Sequence, residues 1–358
     1  MTMAAIIPLY PEVTGEVLRA GELSATLFRF HTGIPGLRLR NSRGEVVVLP
    51  WMGGMIWSAR FDGVELSMSS GFDAPRPATT IAETYGCFAF HSGLLRNGVP
   101  APEDSHAAHG EFPCAPMDRA WLEFGEDANG SFLRVVSARE YVMGFGSHYQ
   151  AHPSLTLRPG ATLFDIGLNI RNLSGKPMEL MYMCHVNFAF VPGGRCLQPA
   201  PFTPDRTAVR HAVPAHVQPN PAYLALIEDL ARNPARMEVL EEPELYDPEQ
   251  VFYLHGLGTD AQGQTHLMLA RPEGDGFAMS YAPADFPHTV RWILHDPDQQ
   301  VAAFALPSTC QPEGYAAEKR KGHVRLLPPG AQAGFSVRAG YLDQQAARET
   351  AALIASLG

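Results

Sequence analysis

The chain has little cysteine, little charge and no long apolar run, and each shortage removes a class of protein. Five cysteines (Cys87, Cys114, Cys184, Cys196 and Cys310) are scattered over 358 residues without a CxxC pair. An odd, dispersed set argues against a disulfide scaffold and against a zinc ribbon. Charged residues make up 18%, the formal net charge is −10, and no Lys/Arg-rich stretch occurs. Phosphate binding needs clustered cations, so no nucleic-acid partner is expected. No apolar run approaches the roughly eighteen residues of a membrane span, so no membrane partner is expected either. The opening "MTMAAIIPLYPEVTG" lacks the basic n-region and long apolar core of a secretory signal. The expectation is a cytoplasmic protein with reduced thiols.

Apolar residues and punctuation are plentiful. Hydrophobic residues reach 46%, and 33 glycines and 31 prolines make up about 18% of the chain, against roughly 12% on average. That density suits many short strands joined by turns. Alternating runs recur from end to end: "SATLFRF" (24–30), "LRLRNSRGEVVVLP" (37–50), "MIWSARFDGVEL" (55–66), and two runs flanking "EDANG" in 119–141. About fifteen strands are expected, with little helix, in a large antiparallel sandwich. A polar helical patch is expected over 221–246. A terminal amphipathic helix is expected over 343–357, with Ala347, Ala351 and Ile354 at helical spacing. No linker or domain-sized repeat interrupts the pattern, so residues 1–358 read as one domain.

Polar side chains gather where strand alternation does not call for them. "YGCFAFHSGLLRNGVP" (85–100) holds His91, Arg96 and Asn97, and "EDSHAAHGEF" (103–112) holds His106 and His109. A third region, "RWILHDPDQQVAAFALPSTCQPEGYAAEKRKG", supplies Trp292, His295, Asp296, Glu313 and Glu318. In "MYMCHVNFAF" (181–190), His185 and Asn187 are two apart and share one strand face, while Cys184 and Val186 take the other. Polar groups on an apolar strand either pair inside the protein or line a cavity, and spacing alone leaves both open for His185. His106 and His109 are three apart, but Gly110 and the nearby prolines imply a loop. Without a third ligand or an HExxH run, a metal site is not expected there.

Taken in order, these segments resemble the galactose mutarotase-like superfamily, the aldose 1-epimerases and their relatives, and most nearly a bacterial branch of aldose-epimerase-like proteins. "LPWMGGMIWSARFDGVEL" is similar to the family's N-terminal hairpin, and the arginine-bearing loop followed by His109-Gly110 to its sugar-binding loop. "MYMCHVNFAF" resembles the strand carrying the family's second histidine, and "EQVFYLHGL" (249–257) a further shared segment. The resemblance covers roughly residues 35 to 340. It implies a β-supersandwich with a sugar cleft on one sheet, a small-molecule sugar as partner, no cofactor and no metal. The implied reaction is reversible opening of a cyclic aldose by general acid–base catalysis. Carried over by position, His185 is the acid, His109 and Arg96 bind sugar hydroxyls, and Arg76, Asn187 and Trp292 are further substrate contacts.

One position departs from the pattern. Aligning "FALPSTCQPEGYAAE" on the family's Leu-Glu-Pro puts Leu306 where the catalytic glutamate stands. The base is then expected to be Glu313, with Glu111 and Asp296 as substitutes, or to be absent. The second reading is accordingly a non-catalytic sugar-binding protein on the same fold. A third, a metal-dependent isomerase or lyase using His106 and His109, lacks a ligand set in the sequence.

Overall fold

A computed structural model describes residues 5–214 and 217–358. The chain is mostly β, with two large antiparallel sheets of nine and thirteen strands and three minor α-helices. The strand Gln332–Leu342 shows the local rule: buried and exposed residues alternate along most of its length, so one face meets the core and the other water. The faces that pack together carry aromatic rings, including Phe61 on Phe164 (6.0 Å), Phe188 on Phe277 (5.2 Å) and Tyr182 on Phe335 (4.7 Å).

In the thirteen-stranded sheet the strands Gln250–Leu254, His288–His295, Gln300–Ser308, Met178–Val186 and Ala89–Leu94 are neighbours in that order. Met178–Val186 is buried on both faces, which is why it reads as a nearly continuous apolar run. Tyr182, Cys184 and Val186 enter the main core, while Met183 belongs to a smaller apolar cluster on the outer face. His185 pairs with Phe90, and Met183 with Ser92. His91, between them, therefore points inward, where its Nδ1 meets the Tyr182 hydroxyl at 2.9 Å.

The helical expectations hold in part. Pro221–Arg232 is a helix, with Pro221 in its first turn and the Asn220 side chain accepting from Tyr223 N at 2.9 Å. It stops well short of residue 246 because Pro234 restricts Asn233, and only short 3-10 turns follow. The terminal helix spans Gln344–Leu357, capped by Asp343, and buries Ala347 and Ile354. A third helix, Tyr315–Lys321, is too short to show a period in sequence. All five cysteines are buried free thiols. Among the described residues, no helix is long and apolar enough to cross a membrane.

Burial of His91 has a measurable consequence. Desolvation pushes its imidazole from 6.5 down to about 4. Below 6.5 the unfolded chain takes up a proton that the folded protein refuses until about 4. The stability present at neutral pH is therefore lost through that window, amounting to about 3 kcal/mol. Denaturant titrations of His91→Phe and the parent near pH 7 and near pH 4.5 should show the variant losing about 2 kcal/mol less on acidification. Equal losses in both proteins would remove this assignment.

Candidate functional site

A cavity of about 770 Å³ opens on the outer face of the thirteen-stranded sheet. Its floor comes from adjacent strands and includes Met183, His185, Val251, Val290, Trp292 and Leu306. Its walls come from the Ile81–Thr84 turn with Tyr85, from the loop carrying His109, and from Asp247 to Glu249. An apolar floor with polar groups converging from the walls is typical of small-molecule sites.

His185 is 3% exposed. It stacks on Phe90 (4.5 Å between centroids, 14°) and meets His109 (5.0 Å), Tyr85 (6.1 Å) and Trp292 (5.7 Å) edge to face or steeply inclined. Its Nε2 lies 3.3 Å from the Tyr85 hydroxyl. Burial, reinforced by the neighbouring His109 ring and offset in part by the nearby Asn187 side chain, drives its pKa well below the ordinary 6.5. The ring is therefore neutral at neutral pH. Burial acts oppositely on Tyr85, whose phenol is held well above 10 and keeps its proton.

His109 reaches the cavity from a tight turn in which its own φ is +62° and that of Gly110 is +80°. A Cβ at Gly110 would lie 2.0 Å from the carbonyl oxygen of Arg96, so the position admits only glycine. The His-Gly pair is thus a backbone requirement as well as a side-chain one. His109 Nδ1 lies 2.9 Å from Ser92 Oγ.

The carboxylate on the floor is Glu249, a residue the sequence reading quoted at the head of "EQVFYLHGL" without assigning it a role. Val251 and Tyr253 pair with Trp292 and Val290 across the ladder, and alternation carries Glu249 to the same side. The Trp292 indole N–H donates to its Oε2 at 2.6 Å. The signal in the sequence is this two-residue period, read back one step from Val251 to Glu249. Tyr85, at the head of the 85–100 stretch, carries no mark in the strand pattern.

The other expected residues fall as follows. Trp292 lines the cavity, whereas Asn187 is fully buried, donates to Cys87 O (3.0 Å) and is absent from the wall. Arg96 is turned away: its guanidinium lies 3.7 Å over the Tyr315 ring and 3.7 Å from the Glu179 carboxylate, beside a separate hollow. Arg76 is exposed and lines neither. His106 faces that second hollow, with Nδ1 2.8 Å from Ala107 O. Arg291, another possible basic group for the rim, is fully buried and donates to Phe304 O and Gln198 Oε1 at 2.9 Å each.

Glu313 is also outside the wall. It sits behind Arg210, which does line the cavity, and pairs with it through two nitrogens at 2.9 and 3.0 Å; it also accepts from the Tyr253 hydroxyl. A carboxylate so engaged is poorly placed to take a substrate proton. Of the substitutes, Glu111 accepts from Leu94 N, Leu95 N and the Tyr149 hydroxyl at 2.9 to 3.1 Å, away from the cavity. Asp296 lies on the rim, with Oδ1 accepting from the N–H groups of Asp298 and Gln299.

Leu306 does face the cavity, and a bulge is the reason. Val290 pairs with Leu306 while Trp292 pairs with Ala303, so Gln300–Ser308 carries one extra residue there. Phe304 and Ala305 both enter the main core, and Leu306 is re-aimed at the cavity beside Val290. Among the described residues, no group of three or more His, Cys, Asp or Glu side chains could hold a metal ion.

The two packed sheets have the galactose mutarotase-like β-sandwich fold. A candidate aldose 1-epimerase from Klebsiella pneumoniae superposes with a TM-score of 0.79 at 17% identity, over 100% of this chain and 96% of that one. A galactose mutarotase-like protein from Clostridium acetobutylicum gives 0.59 at 11%, over 90% and 99%. A candidate aldose 1-epimerase from Escherichia coli K12 gives 0.52 at 15%, over 84% and 96%. At such identities the likeness carries the fold alone. No curated protein matches in sequence. Residues 31–340 match the family described as Domain of unknown function (DUF4432), and the chain belongs to that family.

The Arg210–Glu313 pair yields a stability test. Both side chains are largely buried, so Glu313→Gln strands a cation in a poorly hydrated place and should cost about 3 kcal/mol by denaturant titration. Replacing both partners, as Arg210→Met with Glu313→Leu, should recover part of that loss. An unchanged midpoint in the single variant would show that the pair is not structural.

Proposed function

We propose that the protein binds a sugar in this cavity and interconverts its anomers by general acid–base catalysis. The observation that carries the reading is the company kept on one sheet face: Glu249 bonded to the Trp292 indole, with His185 and His109 at 5.0 Å from each other. A carboxylate and an imidazole facing one cavity are the two proton carriers that the ring-opening of a hemiacetal needs. An aromatic ring supplies an apolar surface for the sugar's C–H face.

In this reading Glu249, not Glu313, takes the proton of the anomeric hydroxyl. The bond between the anomeric carbon and the ring oxygen breaks, and the ring oxygen takes a proton from the imidazolium of His185. The open aldehyde turns about its bond to the next carbon and closes by the reverse steps, which returns both protons. His185 lines the same cavity, and its ring meets the Tyr85 hydroxyl there at 3.3 Å.

A second reading, a sugar-binding protein without turnover, draws on Leu306 in the cavity lining and on the neutral state of His185. The two readings part in an exchange assay. One-dimensional NMR exchange or polarimetry across common aldoses should show accelerated anomerisation, with Glu249→Gln lowering kcat by about 10²- to 10⁴-fold. Sugar binding without acceleration for any aldose would reject catalysis in favour of the second reading.

The pH dependence has a definite sign. Because burial depresses the His185 pKa, its acid form gains population only as pH falls below the ordinary histidine range. The exchange rate should therefore rise on going from about pH 7.5 to about pH 5.5, and His185→Gln should lose that rise. A flat profile in the parent protein would dismiss His185 as the acid.

A further inference from the structure

The chemical sense of His109 is set from behind the cavity. Ser92, Asn97 and Cys310 form a row without solvent exposure. Asn97 Nδ2 donates to Cys310 Sγ at 3.4 Å, which turns Asn97 Oδ1 toward Ser92. That oxygen can only accept, and a hydroxyl has one hydrogen to give. The Ser92 proton is thereby committed to Asn97, and the 2.9 Å contact between Ser92 Oγ and His109 Nδ1 requires the hydrogen to sit on the ring nitrogen. The opposite amide orientation would set its carbonyl against a thiol, a weak donor, and leave the stronger hydroxyl donor without that acceptor.

We propose that the Cys310–Asn97–Ser92 row fixes His109 as the Nδ1–H tautomer, so that Nε2 is an acceptor, and that Ser92 and Asn97 are positioning residues for this ring. The backbone keeps the ring in register with the row. His109 N donates to Gly98 O at 2.8 Å, and His109 O accepts from Gly93 N at 2.9 Å. The loop is thus tied to both ends of the segment that carries Asn97. Where a ligand group meets this nitrogen, an acceptor selects one that brings its own hydrogen, such as a hydroxyl, over a carboxylate or phosphate oxygen. This consequence for the ligand rests on the cavity being the sugar site; the tautomer itself does not.

The test is nitrogen NMR on the intact protein labelled with ¹⁵N-histidine, with His109 assigned by comparison with His109→Gln. At neutral pH the expected spectrum has a protonated Nδ1 and a bare Nε2 for His109. In Asn97→Leu the Ser92 hydroxyl is released to donate to Nδ1, so the ring should invert to the Nε2–H form. Sugar affinity should fall by about tenfold, the worth of one misdirected hydrogen bond. A parent spectrum with Nε2 protonated overturns the proposal without any variant having to fold. An unchanged tautomer in folded Asn97→Leu overturns it equally. Tautomer inversion with no sugar bound by either protein would keep the positioning role and reject the sugar reading instead.

Discussion

A histidine buried against a phenylalanine, on a sheet face that water scarcely reaches, constrains the rest of the site. Neighbouring strands bring Phe90 directly opposite His185, and their rings stack at 4.5 Å. The stack removes the imidazole from water and denies it a charge, so its polar edge must be served by neighbours. Tyr85 meets Nε2, while His109 and Trp292 close around the ring. The apolar floor of Met183, Val251, Val290 and Leu306 keeps the local dielectric low.

Charge around the cavity is arranged by internal pairing. Arg210 faces the cavity but is matched by Glu313, which also takes the Tyr253 hydroxyl. Arg291, one ladder position from Trp292, faces the opposite way and is satisfied by neutral acceptors. Along His288–His295, alternation puts Trp292 at the cavity and Arg291 in the core.

That same alternation governs how much was legible in the sequence. The antiparallel sandwich and the placing of His185 on the strand face opposite Cys184 and Val186 follow from a period of two, but which face meets the cavity does not. The His109-Gly110 pair was legible as a turn, and its backbone angles give the reason. The bulge before Leu306 was not legible, because one extra residue in a strand leaves no mark in a uniformly apolar run. Arg96 lies in the right loop but points out, since the Tyr315 ring and the Glu179 carboxylate, both remote in sequence, hold it. Glu313 was credited with chemistry from its place after Pro307, and its partner Arg210 lies 103 residues away. Glu249 is reached by running the strand period back two residues from Val251.

The central proposal is that Glu249 and His185 act from one cavity on a sugar's anomeric centre. A crystal structure of the protein soaked with an aldose tests it most directly. The expected result is a pyranose over Trp292, its anomeric hydroxyl within about 3 Å of the Glu249 carboxylate and its ring oxygen turned toward His185. A sugar bound with its anomeric carbon against Leu306 and Val290, or bound only in the hollow beside Arg96, would contradict it.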